Sequence, residues 1–152
     1  MRRLEFTTLI NAPASQVWDF FSSPGNLSLL TPASMNFVIK TPDTGRAYPG
    51  MFIGYRVSPL PGMRVSWLTE ITHLSEGKYF IDEQRQGPYS LWHHEHHFRE
   101  VEGGIEMQDL LYYRVPFGFI GRLLDSLLIR KRVLDIFTYR DQKIREFFPA
   151  GK

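Results

Sequence analysis

Between Met35 and Val115 the apolar residues recur at every second position, and the interruptions are short and rich in glycine and proline. That period leaves little choice but a sheet. Candidate strands run over 35–40, 51–58, 63–73, 78–84, 89–100 and 105–115. The segments between them are Pro42–Gly45, Pro59–Gly62, Ser75–Gly77, Gly87–Pro88 and Glu102–Gly104. Each has turn chemistry, and none is long enough for a crossover, so the strands form an antiparallel meander. A further strand precedes it, in which Leu4, Phe6, Thr8 and Ile10 alternate with other residues.

Two short helices are expected after that first strand. One carries Val17, Trp18, Phe20 and Phe21 behind Pro13, and the other covers 26–30, ended by Thr31 and Pro32. Beyond Pro116 and Gly118 the period changes. Leu123, Leu124, Leu127, Leu128, Val133, Leu134, Phe137, Ile144 and Phe148 fall at three- and four-residue steps. One long helix over about 121–148 is predicted, roughly 40 Å long at 1.5 Å per residue. A sheet with one apolar face must cover it, and only this helix is large enough.

No linker, repeat or low-complexity tract divides the 152 residues, so a single domain over 1–152 is expected. The chain is 43% hydrophobic and 14% aromatic, which excludes disorder. A net charge of +2 gives no reason to expect nucleic acid as a partner. The basic residues gather in the C-terminal third, at Arg122, Arg130, Lys131, Arg132, Arg140, Lys143 and Arg145, where a helix would present them to solvent. There is no cysteine, hence no thiolate chemistry and no disulfide. The N-terminus reads as a strand rather than a signal peptide, and no apolar run approaches a bilayer span. The expectation is a cytoplasmic protein with no stable membrane insertion; its oligomeric state is not legible.

The unusual stretch is Tyr89–Phe98. Alternation puts Trp92, His94, His96 and Phe98 on one face, with aromatic residues at both ends, so that face is the interior. In the neighbouring strands Phe80, Asp82 and Gln84 share a phase, as do Met107, Asp109, Leu111 and Tyr113. A turn near Gly103 places His96 near Asp109. A turn at Gly87–Pro88 places Asp82 opposite Trp92 or His94. Ionisable groups are costly to bury unless paired, so this chamber is where function is sought. His94, His96, Asp82 and Asp109 are the candidate catalytic groups, each histidine having a carboxylate in reach. Two histidines on one strand face also suit a metal, but no third histidine is in phase and cysteine is missing, so no metal is expected.

Taken together the order of elements resembles the START/birch-pollen-allergen (SRPBCC) superfamily over essentially the whole chain. The segments that carry the resemblance are Trp67–Ile71, Phe80–Tyr89, Trp92–His96, Asp109–Pro116 and Ile136–Arg140. They look like the bacterial cyclase/dehydrase-like branch. The resemblance implies an α+β helix-grip fold, in which a seven-stranded curved antiparallel sheet wraps a long C-terminal helix. It also implies a cavity for a small hydrophobic or amphipathic molecule, such as a lipid, a polyketide or an aromatic metabolite, with no cofactor. Trp67, Phe80, Trp92 and Leu111 would bury such a ligand. Asp82, Gln84, His94, His96, Asp109 and Tyr113 would orient it. Phe117 and Phe119, in the segment Pro116–Gly121, would gate the opening, with Gly45–Gly50 as the other candidate gate. The alternatives are a cyclase/dehydratase-type enzyme with a His–Asp acid/base pair, and an interaction module with a filled chamber.

Overall fold

A computed structural model describes residues 1–42 and 45–149, so the centre of the Pro42–Gly45 turn and the last three residues lie outside the described chain. The strands are β1 (Arg2–Ile10), β2 (Val38–Ile39), β3 (Phe52–Val57), β4 (Val65–Ser75), β5 (Tyr79–Gln86), β6 (Leu91–Val101) and β7 (Gly104–Arg114). They form one antiparallel seven-stranded sheet in the order β1-β7-β6-β5-β4-β3-β2. Helix α1 (Ala14–Phe21) and two 3-10 turns (Pro24–Ser28, Ala33–Met35) follow β1. The expected second strand is reduced to two residues because Met35 ends a 3-10 turn and Asn36 takes a left-handed conformation.

The C-terminal helix is continuous but not uniform. It comprises α2 (Gly118–Leu124), a π-helical stretch (Asp125–Ile129) and α3 (Arg130–Phe147). The two halves differ in what they bury. On α3, Val133, Phe137, Arg140 and Ile144 recur at steps of four, three and four and face the sheet. The leucines of the first half do not: Leu123, Leu124, Leu127 and Leu128 are exposed, against the expectation that the apolar stripe covers the sheet throughout. What ties this half down is Asp125, a buried carboxylate that accepts from Tyr113 Oη at 2.8 Å and from Arg2 Nε at 2.7 Å.

Alternation along β7 is strict, with Ile105, Met107, Asp109, Leu111 and Tyr113 buried and their neighbours only partly so. Met107 joins Ile10, Val17 and Ile144 at one end of the sheet–helix layer, while Leu111 and Tyr113 join Val133 and Phe137 near the other. Gly104, at the start of β7, has φ +138°, and a Cβ there would lie 2.2 Å from the Ile10 carbonyl oxygen. Only glycine lets β1 and β7 close on each other at that point.

Candidate functional site

Register sets the site. His96 pairs with Asp109 across β6–β7, and Asp82 pairs with His94 across β5–β6, as the turn positions predict. The four side chains meet under α3. His96 stacks on Phe80 with ring centroids 4.1 Å apart, and His94 meets Phe137 edge-on.

Asp109 is 2% exposed and is the hub. Its Oδ1 is hydrogen-bonded to His94 Nε2 at 3.1 Å and lies 2.8 Å from His96 Nδ1 and 3.6 Å from Arg140 Nη2. On the other side, Asp82 Oδ2 lies 2.9 Å from His96 Nε2 and 3.6 Å from His94 Nδ1. Burial alone would raise both carboxyls. The hydrogen bond from His96, with the charges around it, brings Asp82 below its ordinary value. Arg140, followed by the two histidines, holds Asp109 well below the usual carboxylate range.

The histidines diverge. Burial, reinforced by the charge of His96, pushes His94 down, so it is neutral near pH 7. Burial opposes charge on His96 too, but hydrogen bonds to Asp109 and Asp82 outweigh it and raise its pKa. Both carboxylates thus favour its charged form, Asp82 beside Nε2 at 2.9 Å and Asp109 beside Nδ1 at 2.8 Å. Arg140 Nη2 is also 3.3 Å from His96 Nδ1, a contact that would need that nitrogen to accept. A charged His96 would instead turn an Nδ1–H toward the Asp109 carboxylate 2.8 Å away, with Arg140 and His96 sharing that acid.

This cluster forms the polar end of a cavity of about 190 Å³ between the sheet, α3 and the α1 region. Its apolar wall mixes aromatic and aliphatic side chains, with Tyr55, Trp67, Tyr89, Trp92 and Phe137 prominent. Trp67 and Trp92 meet edge-to-face at 5.1 Å. Of the residues predicted from sequence, Trp67, Phe80, Asp82, Trp92, His94 and His96 line this space.

Several predicted ligand contacts fall elsewhere. Asp109 sits behind the histidines rather than on the cavity wall, and Leu111 and Tyr113 are fully buried beneath α3. The Tyr113 hydroxyl, whose partner was not legible, is satisfied by Asp125. Gln84 shares the inner phase, but its amide is consumed by the β5–β6 connection: Nε2 donates to the Tyr89 carbonyl at 2.7 Å, and Oε1 accepts the Tyr89 N–H at 3.2 Å. Phe117 and Phe119 are 78% and 72% exposed and do not line the cavity, so they are not its gate in this conformation.

Arg140 was placed with the solvent-facing basic residues; it is 9% exposed and faces the cavity. Its signal was available, since it is the charged residue that falls in phase with Val133, Phe137 and Ile144. Among the described residues, three buried side-chain polar atoms have no hydrogen-bond partner: Ser22 Oγ, Trp67 Nε1 and Arg140 Nε. Two of these three belong to residues of the cavity wall, and both are N–H donors.

One donor atom from each of Asp82, His94 and His96 lies within 4.8 Å of the others, which is a chemically competent set for a divalent ion. Two features of the cluster oppose a cation there. His96 already lies between the two carboxylates, which favour its charged form, and the Arg140 guanidinium adds positive charge beside it.

No protein-family model matches the chain, and a search of curated proteins found no match either. Solved structures do match. A structural-genomics protein of Chromobacterium violaceum superposes with a TM-score of 0.75 at 12% identity, covering 99% of this chain and 100% of that one. The major latex-like protein 151 of Panax ginseng gives 0.70 at 14% identity, covering 97% of each chain. This is the helix-grip fold. A Mycobacterium smegmatis protein gives 0.70 at 20% identity over 97% of this chain and 91% of its own. At such identities the likeness establishes architecture, and function has to be argued from the helix-grip site itself. No helix among the described residues is long and apolar enough to cross a membrane.

Proposed function

We propose that this protein binds a small amphipathic molecule in the helix-grip cavity, with an aromatic body and at least one oxygen acceptor. The observation that carries the reading is the pair of buried, unpartnered N–H donors, Trp67 Nε1 and Arg140 Nε, on two residues that line the same largely apolar cavity. A buried donor left unpaired costs about 1–3 kcal/mol, so a molecule that supplies acceptors recovers that loss on binding. Size narrows the class. Ligand cavities commonly measure roughly 300–1,000 Å³, and a cavity of about 150 Å³ accepts benzene. A space of about 190 Å³ therefore suits one substituted ring better than an acyl chain.

Charge narrows it further. With Asp82 and Asp109 ionised and His96 and Arg140 protonated, the cluster is neutral. At that end of the cavity a ketone, ester or ether oxygen leaves the balance undisturbed, while the lining's other cation, Arg132, donates to the Pro59 carbonyl and Ser34 Oγ.

Titration followed by tryptophan fluorescence tests this with para-methoxyacetophenone against para-cymene, a hydrocarbon of similar shape. The reading expects the ketone to bind more tightly, although the hydrocarbon is the more hydrophobic. Trp67→Phe should shrink that preference by about fivefold to tenfold, the worth of one neutral hydrogen bond. Equal or tighter binding of the hydrocarbon would defeat the proposal.

A second reading, a cyclase/dehydratase-type enzyme, is favoured by one observation. His94 is neutral, lines the cavity, and donates Nε2–H to Asp109, leaving Nδ1 able to accept a proton. If the protein turns over a β-hydroxy ketone, His94→Gln should abolish turnover while leaving ketone binding within about twofold.

A further inference from the structure

The cavity leaves the largest surface anomaly unexplained. From Phe117 to Leu128 the chain exposes a run of large apolar side chains: Phe117 78%, Phe119 72%, Leu123 57% and Leu127 71%. Ile120, Leu124 and Leu128 are each about half exposed. Ile120, Leu123, Leu124, Leu127 and Leu128 recur at three- and four-residue steps, so they form a ridge along one side of α2 and the π-helical stretch. Single exposed apolar residues are ordinary, but a contiguous ridge of this kind marks a contact surface.

The backbone holds the ridge outward. Phe117 has φ +70°, a left-handed conformation that is unfavourable for a bulky residue, and Gly118 continues it at φ +54°. Gly121 then packs so closely on Pro116 that a Cβ would lie 1.8 Å from its carbonyl oxygen. The strand-to-helix corner is thus fixed, with the Phe117 ring facing solvent.

Charge identifies the partner. Arg122, Arg130 and Lys131 are exposed on the same helical segment and make no ion pair among the described residues. The segment's own acid, Asp125, is buried and committed to Tyr113 and Arg2. Apolar side chains flanked by exposed cations, with the segment's own acid withdrawn into the protein, complement a surface that is hydrocarbon below and negative above. We infer that the Phe117–Lys131 segment docks this protein peripherally on an anionic lipid bilayer. The aromatic and leucine side chains enter the headgroup boundary, and the three cations face lipid phosphates and carboxylates. No span is involved, and the surface lies outside the ligand cavity.

Flotation of the intact protein with vesicles tests the inference, comparing pure phosphatidylcholine with phosphatidylcholine containing phosphatidylserine. Each exposed cation near an anionic surface strengthens binding about fivefold, so the three together predict roughly a hundredfold preference for the anionic vesicles. That preference should shrink at high salt. Phe119→Asp and Leu127→Asp should abolish flotation with unchanged melting temperature, because both side chains are already in solvent. Arg130→Glu combined with Lys131→Glu should remove most of the preference. Absence of flotation with anionic vesicles would overturn the inference, as would flotation that survives Leu127→Asp. A lipid-independent dimer in sedimentation velocity that Leu127→Asp dissociates would instead assign the ridge to a second copy of the chain.

Discussion

Asp109→Asn is the perturbation that probes the site's construction most sharply. The side chain is 2% exposed and gathers His94 Nε2, His96 Nδ1 and Arg140 Nη2 within 3.6 Å. An asparagine keeps one acceptor oxygen, but it presents an NH₂ to donors and leaves Arg140 and His96 with less counter-charge. Removing one partner from a buried ionic cluster costs about 3–5 kcal/mol. At about 2–4 °C per kcal/mol for a chain of this size, the melting temperature should fall by roughly 6–20 °C. Asp82→Asn should cost less, about 1.5–3 kcal/mol, because that carboxylate reaches the cavity and loses chiefly its bond from charged His96.

The pH dependence gives a second readout of the same substitution. Asp109 titrates below its unfolded value, so its stabilisation is present above about pH 4 and is lost as pH falls through the folded value. The asparagine variant should lack that part of the acid limb. Urea unfolding at several pH values measures both effects. A loss under about 1 kcal/mol, or an unchanged acid limb, would refute Asp109 as the hub and leave it a bystander.

Three further outcomes follow from the same geometry. His96 is raised above its unfolded value, so its contribution is full below about pH 6.5 and disappears as pH rises through the folded value. His96→Gln should therefore differ most from the parent near pH 5–6, with the gap narrowing towards pH 9 in thermal melts. Gly121→Ala must push its Cβ away from the Pro116 carbonyl and should cost about 1–3 kcal/mol by urea denaturation. Elemental analysis after dialysis against a weak chelator should find no stoichiometric metal; close to one zinc or iron per chain would reassign Asp82, His94 and His96 as its ligands.

The sheet was legible because period two is hard to mimic, and glycine–proline connections fix which strands pair. The Gly103 turn placed His96 near Asp109, and the Gly87–Pro88 turn narrowed the partner of Asp82 to Trp92 or His94, of which the register selects His94. Depth was not legible. Phase can put Gln84 and Asp109 on the inner face, but it cannot tell that one side chain folds back onto Tyr89 or that the other lies behind two imidazoles.

Helical period gave the long helix but not which half of its stripe packs on the sheet. The leucines of both halves share the same steps, yet Val133, Phe137 and Ile144 meet the sheet while Leu123 and Leu127 do not. Periodicity reports a stripe without reporting what it touches. Arg140 escaped for the opposite reason, since its charge counted for more than its position on the stripe. The resemblance drawn from the sequence foresaw the helix-grip architecture; the unpaired donors of Trp67 and Arg140 had to be found in three dimensions.

Native mass spectrometry under gentle desorption tests the central claim most directly, because it detects an occupant without presupposing its identity. Wild-type protein saturated with para-methoxyacetophenone should carry one added molecule per chain, released at low collision energy. Trp67→Phe should lower the occupied fraction at limiting ketone. Freshly purified protein should carry a neutral organic molecule of similar size. A bare chain in every spectrum, even at the highest soluble ketone concentration, would contradict a ligand-binding cavity built around Trp67 and Arg140.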